Sequence, residues 1–129
     1  MTDIDLAELR QLAIAQLAQS YSPYSNFPVG AAGIADDGRT VVGTNVENAS
    51  YGLTLCAECS MVSDLVRTGG GRLLAVSTVQ GDETPVAPCG RCRQLLFEHG
   101  GGGLIVDWDP EPLLLDALIP EAFGPSNLA

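Results

Sequence analysis

The residues of this chain best placed to do chemistry are Cys56-Ala57-Glu58 and, further along, Pro88-Cys89-Gly90-Arg91-Cys92. Cys56, Cys89 and Cys92 are thiols able to bind a metal, and the Glu58 carboxylate follows closely on the first of them. Structural zinc sites are closed by four protein ligands, whereas catalytic ones use three and keep a position for water. A carboxylate beside such a water can carry protons to and from it. Three thiols and a glutamate therefore spell hydrolytic zinc chemistry.

Cys59 leaves a second reading open. It turns the first segment into Cys56-x-x-Cys59, so the chain also spells a pair of C-x-x-C knuckles, the signature of a closed structural site. On these residues alone, a catalytic centre and a non-enzymatic four-cysteine zinc module both stand.

The elements around the cysteines bear on the choice. Residues 3 to 19 carry Leu6, Leu9, Ala13 and Leu17 at helical spacing, with Asp3 placed as N-cap. Val29 to Ala35 and Thr40 to Val46 read as strands joined by Asp36-Asp37-Gly38-Arg39, where Asp-Gly between apolar runs signals a hairpin. A helix follows from Cys56 to Arg67, with Met61, Val62 and Leu65 on its buried side, and Gly69-Gly70-Gly71 ends it. Leu73 to Val79 is a strand, Pro88 to Glu98 a turn running into a helix, Leu104 to Trp108 a short strand and Leu113 to Leu118 a last helical piece. Strands separated by single helices imply crossovers and a sheet with helices on its faces, a three-layered α/β unit. Both cysteine clusters fall at helix N-termini, whose N–H groups favour thiolate over thiol. Cys89 and Cys92 share one helical turn, Cys56 joins from the neighbouring helix, and Glu58 lies near the open side.

Composition narrows the partner. The 129 residues suit one domain over 1–129, with 46% apolar and 17% charged residues and no apolar run long enough to span a membrane. No basic stretch followed by an apolar one marks a signal peptide, and the cysteines in tight pairs read as reduced metal ligands, so a cytoplasmic protein is expected. The net charge is −10, lysine is absent and the six basic residues are scattered arginines. Nucleic-acid binding draws most of its affinity from Lys and Arg on phosphates, so a polynucleotide or an anionic membrane is a poor partner. A small neutral molecule fits better.

Residues Tyr21 to Ala32 (YSPYSNFPVGAA), Gly43 to Thr54 (GTNVENASYGLT), Cys56-Ala57-Glu58 and Pro88 to Gln94 (PCGRCRQ) follow one another in that order. On these segments, from Tyr21 to about Leu96, the chain resembles the homotetrameric cytidine deaminases of free-nucleoside salvage. The resemblance implies a three-layer α-β-α sandwich with a mixed five-stranded sheet, one Zn2+ per chain, and conversion of cytidine and 2′-deoxycytidine to uridine and 2′-deoxyuridine. Cys56, Cys89 and Cys92 match the zinc ligands, and Glu58 the proton shuttle. Asn45 and Glu47 match the pair on the ribose 3′-hydroxyl, Phe27 an aromatic against the pyrimidine, and the Ala57 N–H a donor to its carbonyl. Ala49, Tyr51 and Phe123 are nominated to reach a neighbouring subunit's site, which implies a homotetramer with shared active sites.

One position departs from the pattern. The family reads Cys-Ala-Glu-Arg, its arginine offsetting the thiolate charge, where this chain has Cys59. Arg91, between the later ligands, is the candidate to supply that charge. Cys59 itself is then a small filler, because a fourth sulfur would displace the water. His99, Asp107, Trp108 and the glycine runs are assigned no chemistry; the runs lack the Lys and Ser/Thr of a phosphate loop.

Overall fold

The computed structural model describes residues 4–129. Helix α1 (Leu6–Gln16) is capped by Asp5, whose Oδ1 accepts the Glu8 N–H at 3.1 Å. The expected cap, Asp3, lies outside the described residues, and the helix begins later than the apolar spacing suggests. Asp5 takes the role because its extended backbone (φ −89°, ψ 94°) points the carboxylate back at the first turn.

The hairpin is β1 (Val29–Ala35) and β2 (Thr40–Thr44), paired antiparallel, with Gly38 in the turn at φ 86° where a side chain would be strained. Helix α2 (Ala57–Arg67) leads to β3 (Leu73–Gln80), and α3 (Gly90–Gly100) to β4 (Ile105–Val106). β5 (Leu113–Leu114) and α4 (Leu115–Leu118) follow. The sheet order is β2-β1-β3-β4-β5, with β3–β4 parallel and the other pairs antiparallel, a mixed five-stranded sheet.

β1 and β3 alternate their side chains between two cores. Ala32, Ala75 and Val79 meet Leu9 and Ala13 of α1 on one face. On the other, Ala31, Ala35 and Val76 meet Met61, Val62 and Leu65 of α2 and Leu96 of α3. This gives three layers, α-β-α. Burying a side chain the size of Met61, Leu65 or Leu96 contributes about 1.5–3 kcal/mol, so the face carrying α2 and α3 is firmly held.

Three further stretches differ from their sequence reading. The strand read over Leu104 to Trp108 keeps only Ile105 and Val106, the two residues that pair with both β3 and β5. Residues 113–118 are not all helical: Leu113 and Leu114 pair with Val106 and Ile105 before α4 begins. Successive leucines carry no period that separates strand from helix, and Pro110 and Pro112 bias the approach toward extended backbone. β2 stops at Thr44, because Asn45 turns its side chain inward and Val46 only bridges Tyr21 and Leu55.

The end of β4 is anchored to α1. Asp107, 3% exposed, receives Arg10 Nε at 2.7 Å and Nη2 at 2.8 Å, and the Ser77 hydroxyl at 2.7 Å. Asp109 adds an outer contact to Arg10 at 3.0 Å. Among the described residues no helix is long and apolar enough to cross a membrane.

Candidate active site

The N-termini of α2 and α3 meet on the same side of the sheet. Cys56 is the N-cap of α2 and Cys89 the N-cap of α3, both with extended backbone (ψ 158° and 167°). Cys92 is buried one turn into α3. The Sγ atoms of Cys56, Cys89 and Cys92 all lie within 4.8 Å of one another, and Cys56 and Cys89 are 3.8 Å apart. Tetrahedral zinc with bonds of about 2.3 Å sets its sulfurs about 3.8 Å apart, so the donor set and spacing fit that ion. Cys59, half-buried on α2, is not part of the cluster.

The thiols show why a cation belongs there. Burial pushes the Cys56 thiol up, and burial together with the Glu58 charge pushes Cys92 up strongly. Cys89 also feels burial, but the backbone N–H groups of Cys92 and Arg91 and the other sulfurs bring it below its ordinary value. A bound divalent ion would reverse the balance at Cys56 and Cys92 and reinforce it at Cys89, because a coordinating thiol is deprotonated outright.

Glu58, in the first turn of α2, is 3% exposed. Burial raises its pKa, partly opposed by its own backbone N–H, Cys92 and Thr78. The Thr78 hydroxyl, on β3, donates to Glu58 Oε2 at 3.4 Å. A carboxyl whose pKa is raised by burial is suited to taking up and giving back a proton. It opens on a cavity of about 210 Å³ lined by Phe27, Asn45, Cys56, Ala57, Glu58 and Cys89 among others.

Asn45 lines that cavity but Glu47 does not. Glu47 lines a neighbouring hollow of about 270 Å³ with Tyr24, Ser25, Asn48 and Tyr51, and Thr54 borders both. Asn45 is largely occupied: Oδ1 accepts from Val29 N at 3.0 Å and from the Ser20 hydroxyl, and Nδ2 donates to Phe27 O at 2.9 Å. Glu47 clasps the loop before Phe27. It accepts from the N–H groups of Tyr24 at 2.9 Å and Ser25 at 3.1 Å, and from the Ser25 hydroxyl. That hydroxyl in turn accepts the Phe27 N–H at 3.0 Å.

Arg91 is exposed, and its Nη2 lies 3.2 Å from Thr54 O and 3.9 Å from Cys56 Sγ. The Cys56 sulfur is the main reason its pKa is raised, followed by the charges of Cys59 and Cys56. Ala49 and Phe123 are exposed and line neither cavity; Tyr51, 79% exposed, lines the second. Sequence reasoning missed Thr78, Ser20 and Ser25. Thr78 was open to notice as a hydroxyl inside an apolar strand, but only the fold brings it to Glu58.

The zinc-binding region of the cytidine and deoxycytidylate deaminases matches residues 5–106. Cytidine deaminase of Mycobacterium tuberculosis is 55% identical over 128 residues, covering 99% of this chain and 96% of that one. Its crystal structure superposes with a TM-score of 0.93 at 56% identity, covering 95% of this chain and 99% of that one. Cytidine deaminase of Mycobacterium leprae gives 0.90 at 55%, covering 92% and 100%. The chain belongs to the cytidine and deoxycytidylate deaminase family, whose matched region is zinc-binding, and Cys56, Cys89 and Cys92 form a cluster that could hold a metal ion.

Proposed function

We propose that this chain hydrolyses cytidine and 2′-deoxycytidine to uridine and 2′-deoxyuridine, releasing ammonia, in one catalytic domain that serves pyrimidine salvage. The observation that carries the reading is the buried Glu58 carboxylate beside a three-sulfur cluster, with Glu58, Cys56 and Cys89 lining one cavity. Zinc held by Cys56, Cys89 and Cys92 would supply hydroxide near neutral pH by lowering the pKa of water to about 7.

The rest is the work of the chain's own side chains and backbone. Glu58 holds the proton released from water and passes it to the ring nitrogen beside the amino-bearing carbon, which makes that carbon electrophilic. Hydroxide adds to that carbon, and Glu58 takes the proton of the hydroxyl so formed and hands it to the amino group; the C–N bond breaks, ammonia leaves and the uridine carbonyl forms, so one carboxylate is base and then acid. The Ala57 N–H, unpaired at the start of α2, donates to the pyrimidine carbonyl. Phe27 packs on the ring. The remaining Nδ2–H of Asn45 and the free lone pair of Glu47 take the ribose 3′-hydroxyl across the join at Thr54. Arg91 offsets the thiolate charge.

The enzyme acts as a cytoplasmic homotetramer in this reading, with Ala49, Tyr51 and Phe123 contributed to a neighbour's site. The support is apolar exposure: Tyr21, Tyr24, Leu53, Tyr51 and Phe123 (59%) all face outward near the site or the C-terminus. Free thiols at all four cysteines suit a reducing compartment.

Cys59's place outside the sulfur cluster argues against a closed four-cysteine module. A polynucleotide substrate fits poorly, since Arg10, Arg39 and Arg67 are ion-paired and Arg72, Arg91 and Arg93 bond backbone carbonyls. Chromatography of cytidine and deoxycytidine incubated with zinc-loaded protein tests the proposal. Uridine and deoxyuridine are expected, and two unchanged nucleosides would contradict it.

A further inference from the structure

We infer that Gly43 is a positioning residue for the metal centre: its missing side chain sets the height at which the first turn of α2 lies on β2, and so where Cys56 and Glu58 fall. The inference rests on the zinc reading of the cluster. A Cβ at Gly43 would stand 2.4 Å from Met61 N, 2.5 Å from Ala57 O and 2.9 Å from Ser60 C. All three are backbone atoms of α2, so no side chain can swing aside, and the helix itself must move. Clearing such contacts to ordinary van der Waals distance needs a shift of about 1 Å.

The sheet and α2 are tied together on both sides of this contact. The Ser60 hydroxyl donates to Thr44 O at 2.8 Å, and the Val42 N–H donates to Asp64 Oδ2 at 3.0 Å. Cys56, Ala57 and Glu58 belong to the turn resting on Gly43. Cys89 and Cys92 are carried by a separate helix, α3, which packs on β3 as well as on α2. Lifting α2 from β2 therefore displaces Cys56 relative to the two sulfurs that β3 helps to hold. Metal–ligand distances hold to about ±0.2 Å, so a shift several times larger is not absorbed. The same displacement of Glu58 is of the size that costs about 10²-fold in turnover.

Gly30 provides the comparison. A Cβ there would lie 2.2 Å from Ala13 O, an equally severe backbone clash, but against α1 on the opposite face of the sheet. α1 carries no ligand. Gly30→Ala therefore strains the fold without touching the sulfurs.

The test loads wild-type protein, Gly43→Ala, Gly30→Ala and Ser60→Ala with cobalt(II) and, separately, with zinc. The readouts are the visible thiolate–cobalt spectrum, the rate of zinc release to a chelator, and kcat against KM. Gly43→Ala is expected to weaken and shift the cobalt bands and to release zinc about tenfold faster, with kcat falling more than KM rises. Gly30→Ala is expected to melt earlier with spectrum and release unchanged. Ser60→Ala, which only loosens the same seam, should fold and release zinc about threefold faster. A wild-type cobalt spectrum and zinc release in Gly43→Ala would overturn the inference. Should that variant not fold, unchanged release from Ser60→Ala would do so. The spectrum and release use the metal alone, so their result stands apart from whether cytidine is the substrate.

Discussion

Arg91 spans the seam between the two cysteine-bearing helices: its Nη2 sits 3.2 Å from the carbonyl oxygen of Thr54, ahead of α2, and 3.9 Å from the sulfur of Cys56. Three thiolates around a divalent zinc leave one net negative charge, which makes water at the metal less acidic. The family resemblance places an arginine at position 59, where this chain has cysteine, and Arg91 brings a guanidinium to the Cys56 sulfur.

Arg91→Ala should release zinc to a chelator about tenfold faster than wild type. Arg67→Ala, on a side chain 72% exposed and remote from the sulfurs, should leave release unchanged. Equal rates in the two variants would remove Arg91 from the account.

Cys59 is expected to be dispensable for the metal. Cys59→Ala should retain one zinc per chain after dialysis against a weak chelator, while Cys56→Ala should lose it, because catalytic sites use three protein ligands. If both proteins lost zinc alike, Cys59 would be a ligand and the water position would be closed.

The Glu47 clasp carries a pH signature. The Ser25 hydroxyl is the largest influence, and with the Ser25 and Tyr24 amides it holds the Glu47 carboxyl below its ordinary 4.5. A depressed pKa contributes stability that is complete above the unfolded value and lost as pH falls through the folded one. The amide resonances of Tyr24 and Ser25 should therefore move together with a midpoint below 4.5, and stay flat in Glu47→Gln. A midpoint at or above the ordinary value would show that the clasp does not hold the charged form.

Arg10→Ala should destabilise the fold without touching the metal. It leaves the buried Asp107 carboxylate with Ser77 and no cation. Removing one member of a fully buried pair costs about 3–5 kcal/mol; with Arg10 part-exposed, about 2–3 kcal/mol is expected. The corresponding fall in Tm is about 6–12 °C for a domain of this size. A Tm within about 2 °C of wild type would show that the pair contributes little.

The parts of this molecule legible in its sequence are those fixed by local chemistry. β1 and its turn follow from an apolar run that ends at Asp36-Asp37-Gly38, and the strand's bounds agree with that reading. Cys56 and Cys89 read as helix starts because a turn precedes each, and both are N-caps. What depends on distant residues was not legible. β5 is indistinguishable from helix in a run of leucines until β4 offers it a partner. Asp107 reads as a strand-end residue, yet it is the anchor for Arg10, which lies 97 positions away. Asn45 and Glu47 stood out as polar residues after an apolar strand, but nothing local shows that each spends most of its hydrogen-bonding capacity on the loop that carries Phe27.

The most direct test follows the ultraviolet band of cytidine in the presence of zinc-loaded protein and of Glu58→Gln carrying the same metal. The account predicts that the wild-type protein abolishes the band with about one zinc per chain. Glu58→Gln should keep its zinc and bind the nucleoside but turn it over at least about 10³-fold more slowly. Substantial turnover by Glu58→Gln would contradict the role given to that carboxylate, and a stable cytidine band with zinc-replete wild-type protein would contradict the account as a whole.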